Sequence, residues 1–188
     1  MSLYDFAKDD SERPGDWIQT FTGRCFWPLD PRPSEVFIED IAHSLAMRCR
    51  FAGHTTRFYS VAEHSVLVSQ NVLVEHALWG LLHDAAEAYS ADVPRPLKRC
   101  LPQWAPMEKA IMRAVCDRFG LAHEEPEDIK RADFSILVDE RIELLAACER
   151  PWGALPDPLG VEVKGLLPFE AKAAFMARFR ELLPNWNE

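Results

Sequence analysis

The chain has 188 residues, 48% of them apolar and 11% aromatic, which is enough for one domain with a substantial core. Its formal charge of -9 excludes a sequence-independent grip on DNA or RNA, because such binding rests on clustered Lys and Arg that neutralise phosphates. A small anionic substrate held by a few local cations is compatible with the same charge.

The N-terminal stretch MSLYDFAKDDSERPGDW is acidic and lacks the apolar segment of a signal peptide, and residues 1 to 16 are expected to be frayed. No run reaches the ~18 apolar residues a membrane span needs. WIQTFTGRCFWPL has aromatic and β-branched residues around Thr22-Gly23, the pattern of a short hairpin, and DPRPS then breaks the chain. Ile41, Ala42, Leu45 and Cys49 have helical spacing and predict a first helix from Glu39 to about Arg50. FAGHTTRFY reads as a loop.

Ser60 and Glu63 form an S-x-x-E capping box, so a second helix should begin at Ser60. A third is predicted from about Glu75 to Tyr89. The proline-rich SADVPRPLKRCLPQWAP reads as a loop or broken turns. A fourth helix is expected from Gln103 to Phe119, stopping at Gly120, and a fifth from about Pro126 through the segment ending in Cys148. GALPDPLGVEVKGLLP is irregular, with VEVKG a possible brief strand, and a final helix covers about 169–183. The expected architecture is an all-α bundle with an irregular N-terminal hairpin and loops, in one domain: a core over about 36–148, an N-terminal extension over 1–35 and the C-terminal helix.

The cysteines Cys25, Cys49, Cys100, Cys116 and Cys148 are scattered, odd in number and free of CxxC spacing, which suits reduced thiols in a cytoplasmic protein. Chemistry concentrates instead on three helices. Placed on an ideal third helix at roughly 100° per residue, His83, Asp84 and Glu87 share a sector beside the apolar face. Asp84 lies at the edge of that face, where an unpaired carboxylate is costly to desolvate and a cation is the simplest partner. On the second helix His64 borders the stripe of Val61, Val68 and Val72. On the fifth, Asp133 falls within the face made by Ile129, Ile136, Leu137 and Leu144, and Glu140 follows one heptad later as a paired residue or a support for the ligands. His76 is too far along its helix to share an ion with His83.

Two imidazoles and two carboxylates suit one divalent ion, with Mn, Co, Fe, Ni or Zn favoured over Mg. Such an ion acidifies water and polarises a phosphoryl oxygen, and Glu87, one turn from His83, could orient or deprotonate that water.

The order His64, His83-Asp84, Asp133 resembles the HD-domain superfamily of metal-dependent phosphohydrolases. YSVAEHS and HDAAEAYSADVPRPLK are similar to the bacterial 5′-deoxynucleotidases, whose motif runs HDxxE, an aspartate, then P-x-P-hydrophobic-K. The resemblance covers about residues 40 to 145. It implies a helical HD fold and hydrolysis of a nucleotide phosphate. It also implies His64, His83, Asp84 and Asp133 as metal ligands, Glu87 positioning the water and Asp92 close to the substrate. Arg50-Phe51 resembles the substrate-holding pair of those enzymes, with Arg57 as an alternative cation and Lys98 after the P-x-P turn facing either solvent or a phosphate.

The leading expectation is thus an enzyme that releases phosphate from a small nucleotide, such as a deoxyribonucleoside 5′-monophosphate, and that forms a homodimer. Its alternatives are a deoxynucleoside triphosphate triphosphohydrolase and a non-catalytic sensor of metal and nucleotide. The Trp- and Pro-bearing block before residue 35 has no counterpart in the nucleotidases.

Overall fold

The computed structural model describes residues 12–186. Among them the fold is all-α apart from one hairpin. The hairpin pairs β1 (Ile18–Gln19) antiparallel with β2 (Cys25–Phe26), as the sequence predicts. Residues 1–11 of the stretch expected to fray lie outside the described residues. Arg13 departs from that expectation: it is a half-buried anchor whose guanidinium bonds to Asp30 and Glu35 and lies 4.0 Å from the Trp27 ring centroid.

Helix α1 (Ile38–Met47) ends earlier than the predicted Arg50. Residues 48–50 are claimed by a neighbouring strand-like segment: Cys49 bridges Ser60, Arg50 N–H donates to Tyr59 O at 2.9 Å and Val61 N–H to Arg48 O at 3.0 Å. Backbone pairing over long range thus outweighs helical spacing here. The chain then turns through Phe51 and Ala52, both at positive φ (56° and 51°), a conformation non-glycine residues adopt only at some cost in strain.

Helix α2 (Val61–Gln70) starts where predicted, with Ser60 Oγ accepting from Glu63 N–H at 3.1 Å. Only this half of the capping box forms. The buried Glu63 carboxylate accepts instead from Lys164, Gly165 and Leu166 N–H at 2.8, 3.0 and 2.7 Å. Asp139 does the same for Leu159 and Gly160 N–H, both at 2.9 Å. Two buried carboxylates therefore hold the connection between the last two helices, which contains no strand at VEVKG, where the Lys164 and Gly165 amides bond to the Glu63 carboxylate and not to a neighbouring strand.

The third predicted helix is broken. Helix α3 covers only Ala77–Leu82, with a 3₁₀ turn before it (Val74–His76) and another after it (Ala85–Ala88). The Gly80 carbonyl, the acceptor an uninterrupted α-helix reserves for the Asp84 amide, accepts from His83 Nδ1 at 2.8 Å, and Asp84 leaves helical geometry at φ -97° and ψ 12°. Gly80 also lets α3 approach α2 closely: a Cβ there would stand 3.2 Å from Ser69 Cα. Pro94 caps the single-turn helix α4 (Arg95–Lys98) within the predicted loop, and Pro96 sits in its first turn. Helix α5 (Trp104–Phe119) stops at Gly120, whose φ of 70° is the left-handed cap a glycine supplies. Helices α6 (Glu127–Leu144) and α7 (Pro168–Leu182) follow as predicted within two residues, except that α6 stops short of Cys148.

The α1, α2 and α3 helices pack with α7, and α6 packs on α2. One core cluster joins Phe26 of the hairpin, Ile41 and Leu45 of α1, Leu81 and Leu82 of α3 and Phe175 and Phe179 of α7. The hairpin and α7 thus share the core of the central helices. No helix among the described residues is long and apolar enough to cross a membrane.

Candidate metal centre

The centre of the bundle holds a polar cluster drawn from α2, the break after α3, and α6. His64 on α2 is completely buried. Its Nε2 lies 3.2 Å from His83 Nε2, 3.1 Å from Asp133 Oδ1 and 3.8 Å from Asp84 Oδ2. His83 Nε2 is 3.3 Å from the same Asp84 oxygen. His64, His83 and Asp133 offer ligand atoms all within 4.8 Å of one another, a group that could hold a metal ion. Ligands bound at ~2.1 Å to one ion and ~90–110° apart stand roughly 3.0–3.4 Å from each other, the spacing most of these atoms have.

The far sides of the two rings decide what the near sides can do. Gly80 O can only accept, so His83 Nδ1 carries a hydrogen. His64 Nδ1 faces Glu140 Oε1 at 2.6 Å. Burial works to raise the Glu140 pKa, but Arg50, His64 and the Tyr59 hydroxyl outweigh it and keep this carboxylate ionised, so His64 Nδ1 also donates. In the neutral rings both Nε2 atoms are then lone pairs pointed at each other and at two carboxylates. Acceptors of this kind gathered from His64, His83 and Asp133, with Asp84 Oδ2 beside both rings, suit a cation.

Without a metal, protons fill that role. Burial disfavours a charged His83, yet the Asp84 carboxylate beside it pushes its pKa up to about 9. Burial and the Arg50 charge also oppose protonation of His64, and Glu140 and Asp133 override them. The Asp84 carboxyl, despite burial, is held well below the usual carboxylate range by His83, His64 and Arg50. The sign of metal linkage follows. The carboxylates are already ionised, whereas His83 must lose its proton to become a ligand, so affinity should rise with pH up to about 9, about tenfold per unit for each proton displaced. Titrating Mn²⁺ into weakly buffered protein at pH 7 is expected to acidify the solution, and no proton release would show that these rings do not ligate.

Glu140, also fully buried, is the hub behind the cluster. Besides His64 it accepts from Tyr59 OH at 2.8 Å and from Arg50 Nη2 at 3.2 Å, while Arg50 Nη1 reaches Asp84 Oδ2 at 3.4 Å. Arg50 is thus engaged with the carboxylates around the cluster. The Tyr59 contact escaped the sequence reading. Its only signal was a place one residue before the Ser60 cap, whereas Glu140, read as a paired residue or a support for the ligands, is paired as the heptad spacing from Asp133 suggested.

Solvent reaches His83, Asp84 and Glu87 through an open cleft of about 250 Å³, also walled by Lys98, Glu108 and Glu125. The Asp133 side chain, 43% exposed, leaves the cluster open as well. Glu87 is buried in the cleft wall: Lys98 Nζ lies 3.4 Å from its Oε1, and its Oε2 has no partner. Burial, reinforced by Asp84 and Asp92, pushes its pKa up to about 9 in the absence of an ion. Lys98 is held more closely by Glu108, at 2.8 Å. Burial raises Asp92 above its ordinary range, with Arg50 and Lys98 opposing.

No family model matches the chain. It is 40% identical over 169 residues to the uncharacterized protein YfdR of Escherichia coli (strain K12), covering 88% of this chain and 95% of that one. It is also 36% identical over 188 residues to the uncharacterized protein RCAP_rcc00048 of Rhodobacter capsulatus, covering 89% and 95% respectively. The chain belongs to the family of these two proteins.

In this member of the YfdR family the remaining candidate residues sit apart from the cluster or beside it. Arg57 donates to Val163 O at 2.9 Å and lies 3.8 Å from Glu143, so its guanidinium is held by the connection before α7. Phe51 has its ring 5.6 Å from Arg50 Cζ and 6.4 Å from Trp152. His76 pairs with Asp128 at 2.7 Å, a structural contact that matches its predicted separation from His83.

Proposed function

We propose that this chain is an HD-type metal-dependent phosphohydrolase that releases phosphate from a small nucleotide, with deoxyribonucleoside 5′-monophosphates as the first substrates to test. The observation that carries the reading is the convergence of two imidazole lone pairs and two carboxylates beside a solvent-open cleft. His64, His83, Asp84 and Asp133 would hold one divalent ion, and the mixed nitrogen and oxygen donors favour Mn, Co, Fe, Ni or Zn over Mg. Such an ion supplies positive charge that polarises a phosphoryl oxygen and acidifies water.

The protein's own groups supply the rest. An ion held beside Asp84 would favour the ionised form of Glu87, whose buried Oε2, without a hydrogen-bond partner, would then accept a proton from attacking water. Lys98 keeps Glu87 in place through Oε1 and adds positive charge to the wall a phosphate would face, joined there by Lys109 and Arg113. Asp92 is near enough to Arg50 and Lys98 to feel both charges, and it makes no hydrogen bond among the described residues that would keep it from a sugar hydroxyl.

The test is phosphate, pyrophosphate and triphosphate release from a panel of ribo- and deoxyribonucleoside mono- and triphosphates with Mn²⁺, Co²⁺ and Mg²⁺. Orthophosphate from deoxyribonucleoside monophosphates is the expected product, whereas triphosphate release would favour the triphosphohydrolase. Glu87→Gln should lower kcat by roughly 10²–10⁴-fold with metal affinity kept, the size of a general-base contribution. An unaltered kcat would remove Glu87 from the chemistry.

A further inference from the structure

The N-terminal block borders a second pocket that the metal chemistry does not use. It has a volume of about 380 Å³ and lies between the hairpin, α1 and the end of the turn that carries Glu87, with Gln19, Thr20, His43, Ser44, Arg48 and Tyr89 among its walls. That volume is in the range of pockets for small metabolites.

Arg48 gives the cavity its chemical character. It is half-buried, donates from Nε to Ser44 Oγ and from Nη2 to Ser90 O, both at 3.3 Å, and has no carboxylate within ion-pair distance among the described residues. Glu87 and Asp92 act on it only through space. Its Nη1 has no protein partner among those residues, and neither do the ring nitrogens of His43 or the side-chain amide of Gln19. Asp40, the one acid in the wall among the described residues, is occupied: its carboxylate accepts from Thr22 N–H at 2.7 Å and Thr22 Oγ1 at 3.0 Å. His43 is fixed by stacking on Phe21 with centroids 3.7 Å apart. An arginine with hydrogen-bonding capacity to spare, beside polar groups and an acid whose two oxygens are already hydrogen-bonded to Thr22, suits an oxyanion.

We infer that the hairpin and α1 form a binding pocket for a small metabolite bearing a phosphate or carboxylate, with Arg48 as the anion-binding residue. This pocket stands independently of the metal reading. It is tied to the same turn, since Ser44 Oγ, which accepts from Arg48, itself donates to Ala88 O at 2.9 Å. A ligand on Arg48 therefore contacts the framework that holds Glu87.

The test uses inorganic phosphate and, in a second series, acetate, titrated into the metal-free full chain and followed by amide chemical shifts. Saturable shifts at Gln19, Thr20, His43 and Ser44 with at least one of these anions are expected. Arg48→Ala should weaken binding at least tenfold, Arg48→Lys should retain part of it, and Asp84→Ala should leave it unchanged. If Arg48→Ala does not fold, the wild-type shifts and the Arg48→Lys affinity decide. No saturable response to either anion at tens of millimolar, shifts confined to the Glu87 cleft, or undiminished binding in a folded Arg48→Ala would overturn the pocket.

Discussion

Asp84→Ala is expected to abolish metal-dependent phosphate release, by at least about 10³-fold, and to remove the metal-induced rise in melting temperature. The Asp84 carboxylate is the one that both imidazoles share, 3.3 Å from His83 Nε2 and 3.8 Å from His64 Nε2. Without it the rings lose one of the three carboxylates that face them, and Arg50 loses one of its two. An ion that binds only the folded state stabilises it by mass action, about 2.7 kcal/mol at a hundred times its dissociation constant. Thermal unfolding with and without Mn²⁺ reads this directly. Asp133→Ala should behave alike, and a metal-induced shift as large as in wild type would exclude the altered residue as a ligand.

Glu140→Ala should have the largest effect on stability itself. The carboxylate is fully buried, and its removal strands three groups at once: the Tyr59 hydroxyl, His64 Nδ1 and one arm of the Arg50 guanidinium. Breaking a buried ion pair from one side costs about 3–5 kcal/mol, because the remaining charge is left without compensation. For a chain of this size that lowers the melting temperature by roughly 10 °C. Metal affinity should fall about 10–100-fold, since His64 loses the partner that fixes its tautomer. Glu140→Gln keeps an acceptor for His64 and should fall between. Circular dichroism melts separate the three proteins, and a melting temperature within about 2 °C of wild type in Glu140→Ala, well short of the shift expected for a domain this size, would refute the hub.

Much of this was legible in the sequence because helical phase is a local property. The capping residue Ser60, the glycine stop at Gly120 and the apolar stripe of α6 each depend on a few neighbours, and each appears where the spacing puts it. His64 and Asp133 could be assigned to inward faces for the same reason. His83 and Asp84 reach the cluster although the helix assumed for them ends at Leu82, because the apolar run that precedes them already directs the chain into the core.

The long-range partners of buried polar groups were not legible. Glu63 has the sequence of a capping-box residue, yet its carboxylate holds amides about a hundred positions away. Arg50 has the position of a substrate-binding residue, yet its guanidinium lies between Asp84 and Glu140.

By itself, the sequence determined an all-α chain with metal-competent side chains on two inward helix faces and at the end of a third apolar run, because apolar periodicity and capping act over one or two turns. The tertiary structure alone decided that His64, His83 and Asp133 come together, which carboxylate backs them and where the N-terminal hairpin borders its pocket. Those outcomes depend on which distant donor each buried acceptor finds when water is excluded, and local spacing carries no record of that choice.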